Sequence, residues 1–113
     1  MSIPAVSLTR VCAVDAIPLE GGVAALVGGA AVALFRTHSG EVLALSNVDP
    51  FSGASVLSRG IVGTRGEAPV VSSPMYKQAF DLRTGACLDD ASVSVPSYDV
   101  SVVDGVVLVG GVR

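Results

Sequence analysis

Ser73-Pro74-Met75-Tyr76-Lys77-Gln78-Ala79-Phe80-Asp81-Leu82-Arg83-Thr84-Gly85 reads as a turn, a short strand and a second turn. Pro74 and its polar neighbours favour the first turn, and Arg83-Thr84-Gly85 supplies the second. Between them, Gln78 to Leu82 carries its apolar character on Ala79 and Phe80. Strand side chains alternate between faces, so Phe80 and Leu82 share one side, opposite Ala79 and Asp81, and Phe80 is expected to anchor a core.

Upstream, Ile61-Val62 and Pro69 to Ser72 read as a short hairpin around Thr64-Arg65-Gly66-Glu67. Asn47 to Gly60, with Asp49-Pro50, Ser52-Gly53 and Arg59-Gly60, shows no period and is long for a loop, which marks it as a functional segment or the descendant of one. Further towards the N-terminus, Val6 to Val11 is a first strand and Asp15 to Gly22 a turn. Val23 to Val27 and Ala31 to Arg36 flank a Gly28-Gly29-Ala30 hairpin, and Thr37 to Gly40 turns into Glu41 to Ser46, with Val42, Ala44 and Leu45 directed inward. Downstream, Tyr98 to Val103, Asp104-Gly105 and Val106 to Val109 form a second clear hairpin. The sum is an all-β chain of about nine or ten short antiparallel strands, a β-sandwich or barrel, and its length fits one domain over residues 1–113.

The composition agrees. Half of the 113 residues are hydrophobic, but only three Phe, two Tyr and no Trp are aromatic, so the core must be aliphatic. The seven Lys and Arg are scattered and the net charge is −3, which offers nucleic acid no basic face. Mean hydropathy is +0.67. Even so, the longest apolar run, Gly21 to Phe35, is split by Gly28-Gly29 and closed by Arg36, well short of a bilayer span. Met1-Ser2-Ile3-Pro4 lacks the basic and apolar start of a secretory signal, so no membrane and a cytoplasmic location are expected. In that compartment Cys12 and Cys87 are expected as reduced thiols at core positions.

Catalytic chemistry finds little to stand on. The single histidine, His38, lies in a polar turn, and no Gly-x-Ser-x-Gly elbow is present. Phosphate-cradling glycine loops are missing, and one His with two distant Cys makes no zinc set. Asp89-Asp90 reads as a solvated turn, because adjacent strand side chains diverge.

Two segments taken together resemble the Rieske-type iron–sulfur domains. There one loop carries Cys-x-His, and a second carries Cys-x-x-His followed by an aromatic strand and Asp-Leu-x-Thr-Gly. In this chain Leu45 to Ala54 and Ser73 to Gly85 keep the prolines, the Gly53-Ala54 pair and the Phe80-Asp81-Leu82-Arg83-Thr84-Gly85 tail. Asp49 and Ser73, however, stand at the cysteine positions, and Phe51 and Tyr76 at the histidine positions. Lys77 stands where the pattern usually has glycine. A Rieske centre needs two thiolates and two imidazoles, so the resemblance implies a site that has lost every ligand: no metal, no cofactor and no catalytic residue in this chain. The bulk of Phe51 and Tyr76 is expected to fill the vacated space, with all four residues at the tips of two packed loops.

Asn47-x-Asp49-Pro50-Phe51-Ser52, Ser58-Arg59-Gly60-Ile61-Val62-Gly63 and Ser73-Pro74-Met75-Tyr76-Lys77-Gln78-x-Phe80-Asp81-Leu82 are similar to the small-subunit family of the NAD(P)H-dependent assimilatory nitrite reductases, over about Val11 to Val109. That resemblance implies a large-subunit partner carrying FAD, an iron–sulfur cluster and sirohaem, which reduces nitrite to ammonium. It makes Phe51, Tyr76, Lys77 and Gln78 candidates for the partner interface. The competing readings are a Rieske ferredoxin, which a single histidine argues against, and a degenerate Rieske-like binding module of another oxidoreductase complex.

Overall fold

A computed structural model describes residues 8–113. Val6 and Ser7 of the expected first strand, and the Met1 to Pro4 segment, lie outside them. Among the described residues nine strands appear: β1 (Thr9–Ala13), β2 (Gly21–Val27), β3 (Ala30–Arg36), β4 (Val42–Ser46), β5 (Ile61–Arg65), β6 (Ala68–Ser72), β7 (Ala79–Asp81), β8 (Ser97–Val103) and β9 (Val106–Val112). They form a six-stranded sheet of order β1-β9-β8-β4-β3-β2 and a three-stranded sheet of order β5-β6-β7. All named pairs are antiparallel. β1 and β2 approach each other, curling the large sheet towards a barrel.

The centre of this sheet is apolar on both faces. β3 and β4 pair Leu34 with Ala44 and Phe35 with Leu43, and every residue from Val32 to Phe35 and from Val42 to Leu45 is buried. Val32, Leu34, Val42 and Ala44 point into one core, with Ile17, Val107 and Val109. Ala33, Phe35, Leu43 and Leu45 point into a second, formed with Leu57, Val62, Val71, Phe80 and Leu82. The second core cements the small sheet onto the large one. Leu43 therefore belongs with Val42, Ala44 and Leu45 among the inward residues, because a strand between two layers has no solvent face.

The β5–β6 hairpin and the burial of Ala79 also differ from the sequence reading. The β5–β6 hairpin is longer, pairing Thr64 with Pro69 and Arg65 with Ala68, so only Gly66-Glu67 remain as its turn. Ala79 is fully buried beside Phe80, since the chain after Gly85 folds back and the N–H of Leu88 donates to the Ala79 carbonyl (2.8 Å).

Candidate functional site

Two loops emerge at one end of the molecule, one leaving β4 and the other joining β6 to β7. The base of the first is closed by Asn47, only 4% exposed: its N–H donates to the Ala31 carbonyl (2.9 Å), and its carbonyl and side-chain oxygen accept from the N–H groups of Leu57 (3.0 Å) and Ser58 (2.7 Å). Leu57, fully buried, opens a short 3₁₀ turn over Leu57–Arg59 that roots the loop in the second core. The sequence carried no period through Asn47 to Gly60, so neither anchor was legible there.

The tips share one backbone design. In the first loop the Asp49 N–H donates to the Ala54 carbonyl (2.8 Å) and the Gly53 N–H to the Asp49 carbonyl (2.7 Å). In the second the Ser73 N–H donates to the Gln78 carbonyl (2.9 Å) and the Lys77 N–H to the Ser73 carbonyl (3.0 Å). Proline follows the leading residue in both, as Pro50 and Pro74. The fifth residue of each turn is left-handed, Gly53 at φ +75° and Lys77 at φ +68°. Glycine bears that geometry freely, whereas lysine bears a cost of about 1–2 kcal/mol, which is why the Rieske pattern favours glycine at Lys77.

The leading residues face each other. The Ser73 hydroxyl donates to one carboxylate oxygen of Asp49, and the other oxygen accepts from the Phe51 N–H (2.8 Å). Both side chains are fully buried, so they lie beneath the loop tips rather than at them, a correction to the sequence expectation. The aromatic positions diverge. Phe51 is half-buried, its ring 6.3 Å from that of Phe80, and it packs on the second core. Tyr76 is 57% exposed and fills no space between the loops. Asp49 and Ser73 meet beneath the tips, while the exposed Tyr76 phenol keeps its hydroxyl in water. Lys77 is exposed, and Gln78 is half-buried with a side-chain oxygen that finds no donor among the described residues.

A third segment braces the second loop. One Asp89 oxygen accepts from the Ala79 N–H (2.8 Å) and the other from Arg65 (3.2 Å). The Ala79 N–H first, and then Arg65, hold the Asp89 carboxyl below the usual carboxylate range. Asp89 is thus a brace as well as a solvated turn residue. Its neighbour Asp90 is also lowered, by the hydroxyl and N–H of Ser92.

The other singled-out residues lie elsewhere. His38 is exposed in its turn. Cys87 is a buried free thiol, whereas Cys12 is half-buried, and burial pushes its thiol up. Among the described residues no three His, Cys, Asp or Glu side chains converge as a metal-holding group. Nor does the donor set fit a [2Fe–2S] cluster. The two loops offer neither thiolate nor imidazole, and the oxygens of Asp49 and Ser73 are taken by each other and by the N–H groups of Phe51 and Met75.

Comparison with known proteins agrees with this frame. The family described as Rieske-like [2Fe-2S] domain matches residues 7–110. The nitrite reductase (NADH) small subunit of Salmonella typhimurium is 48% identical over 103 residues, covering 90% of this chain and 95% of that one. The NMR structure of the Escherichia coli protein NirD superposes with a TM-score of 0.87 at 44% identity, covering 95% of this chain and 98% of that one. The nitrite reductase [NAD(P)H] large subunit of Klebsiella oxytoca holds a segment 41% identical over 109 residues, which is 96% of this chain and 11% of that protein.

Proposed function

Because the chain belongs to the Rieske-like domain family and, within it, to the nitrite reductase small subunits, we propose that it is the non-redox subunit of an NAD(P)H-dependent nitrite reductase. It works bound to a large catalytic subunit, in the cytoplasm, during nitrate assimilation. The transfer of reducing equivalents from the nicotinamide to nitrite belongs to the partner chain, with its FAD, iron–sulfur cluster and sirohaem. The near-full-length match to a nitrite reductase small subunit carries this reading. The Klebsiella oxytoca chain supports the partnership, because there a segment like this one is part of a large-subunit polypeptide. A non-redox role is supported by the two loops, which carry neither the thiolates nor the imidazoles of a Rieske centre and whose Asp49 carboxylate is bonded to Ser73.

Co-expression with the large subunit encoded in the same genome tests the proposal. The two chains should co-purify at a fixed ratio, and the iron of the complex should be accounted for by the large subunit alone. Elution of this chain by itself, with the large subunit folded and present, would overturn it.

A further inference from the structure

We infer that the outer faces of the two loops, together with the brace segment, are the surface on which the large subunit docks. The matching patch on that subunit is apolar and carries a carboxylate opposite Lys77. This inference rests on the assignment above and adds the surface and the chemistry it selects.

Four apolar side chains are left in water at this end: Tyr76 (57% exposed), Met75 (48%), Leu88 (40%) and Val48 (36%). Hydrogen bonds draw their segments together. Asp49, next to Val48, is bonded to Ser73 of the loop that carries Met75 and Tyr76. Leu88 is tied through its N–H to Ala79, the first residue after that loop. Exposed apolar side chains brought to neighbouring segments in this way suit a protein contact.

Lys77 defines what the contact is. Its left-handed backbone carries a cost that glycine would remove, so within the isolated chain lysine is the poorer choice for folding. Its ammonium has no ion-pair partner among the described residues. The carboxylates tied to the same segments are already occupied, Asp49 by Ser73 and the Phe51 N–H, and Asp89 by Arg65 and the Ala79 N–H. A costly cation with no internal role, set among apolar side chains, suits a carboxylate on another protein. Gln78 beside it adds the side-chain oxygen that lacks a donor.

Titration of the large subunit with the full chain tests this. The proteins compared are wild type, Lys77→Glu, Lys77→Gly, Tyr76→Ala and, as a control on β1, the exposed Arg10→Glu, each checked first for an unchanged fold by its melting transition. Lys77→Glu should weaken binding by about tenfold or more at low salt, with a smaller deficit at high salt because ions screen the pair. Lys77→Gly, which removes the charge while relaxing the backbone, should fall between wild type and Lys77→Glu. Tyr76→Ala should weaken binding by about tenfold at any salt concentration, and Arg10→Glu should bind like wild type. Wild-type affinity in folded Lys77→Glu and Tyr76→Ala would overturn the docking surface and leave the subunit assignment standing. A wild-type chain that binds no large subunit would overturn both.

Discussion

The hydroxyl of Ser73 is bonded to the carboxylate of Asp49, 24 positions away, and the side chains of both are sealed from solvent. In cluster-bearing relatives of this frame the same two positions would be thiolates on one iron. Here a single hydrogen bond joins the loops instead. Ser73→Ala would strand one buried carboxylate oxygen, and we expect a loss of about 1–3 kcal/mol in denaturant unfolding. In a double-mutant cycle with Asp49→Ala, the two residues should show a coupling of about 1–3 kcal/mol. Additive effects would mean that the loops are held by something else.

Phe80 sits at the junction of the two sheets, fully buried, paired with Val71 and in contact with Phe51. Phe80→Ala should cost about 3–5 kcal/mol, the range for a truncated core phenylalanine whose surroundings do not collapse. A loss below about 1 kcal/mol in the same melt would show that the site can collapse, or that the sheets are cemented elsewhere.

Two glycines separate backbone strain from steric strain. At Gly53, φ is +75° and an added Cβ would meet nothing within 4 Å, so Gly53→Ala should cost only the conformational term, about 1–2 kcal/mol. At Gly85, φ is +83° and the added Cβ would lie 2.0 Å from the Val95 carbonyl oxygen, so Gly85→Ala should be clearly the more damaging. Lys77→Gly should move stability the other way, by about 1–2 kcal/mol. Melting transitions of the three variants give the order, and an equal loss at Gly53 and Gly85 would contradict it.

Asp89 gives a pH signature. Its folded carboxyl lies below its unfolded value, so its contribution is complete above the unfolded pKa and is lost as pH falls through the folded one. Asp89→Asn should therefore be less stable than wild type near neutrality, and the two stability curves should converge below about pH 4. Parallel curves down to the acid limit would show that Asp89 braces nothing.

The strands were legible where the chemistry is local: the Gly28-Gly29 and Asp104-Gly105 hairpins, and the strand around Phe80, depend on neighbours in sequence. The burial of Leu43 on β4 was not, because local sequence cannot see the second layer packed over it. The frame of the site was legible from two motifs in register. Its interior was not, since Asp49 and Ser73, expected at the tips of two packed loops, show their burial and their mutual hydrogen bond only once the fold sets one against the other. Tyr76 shows the reverse: an aromatic residue assigned to a filling role stays in water.

We propose that this chain serves nitrite reduction without a redox centre of its own. The most direct test is NAD(P)H-dependent nitrite reduction by the large subunit, supplemented with this chain either as purified or after exhaustive chelation and removal of iron. Both preparations should give the same rate. A rate that depends on restoring an iron–sulfur cluster to this chain would contradict it.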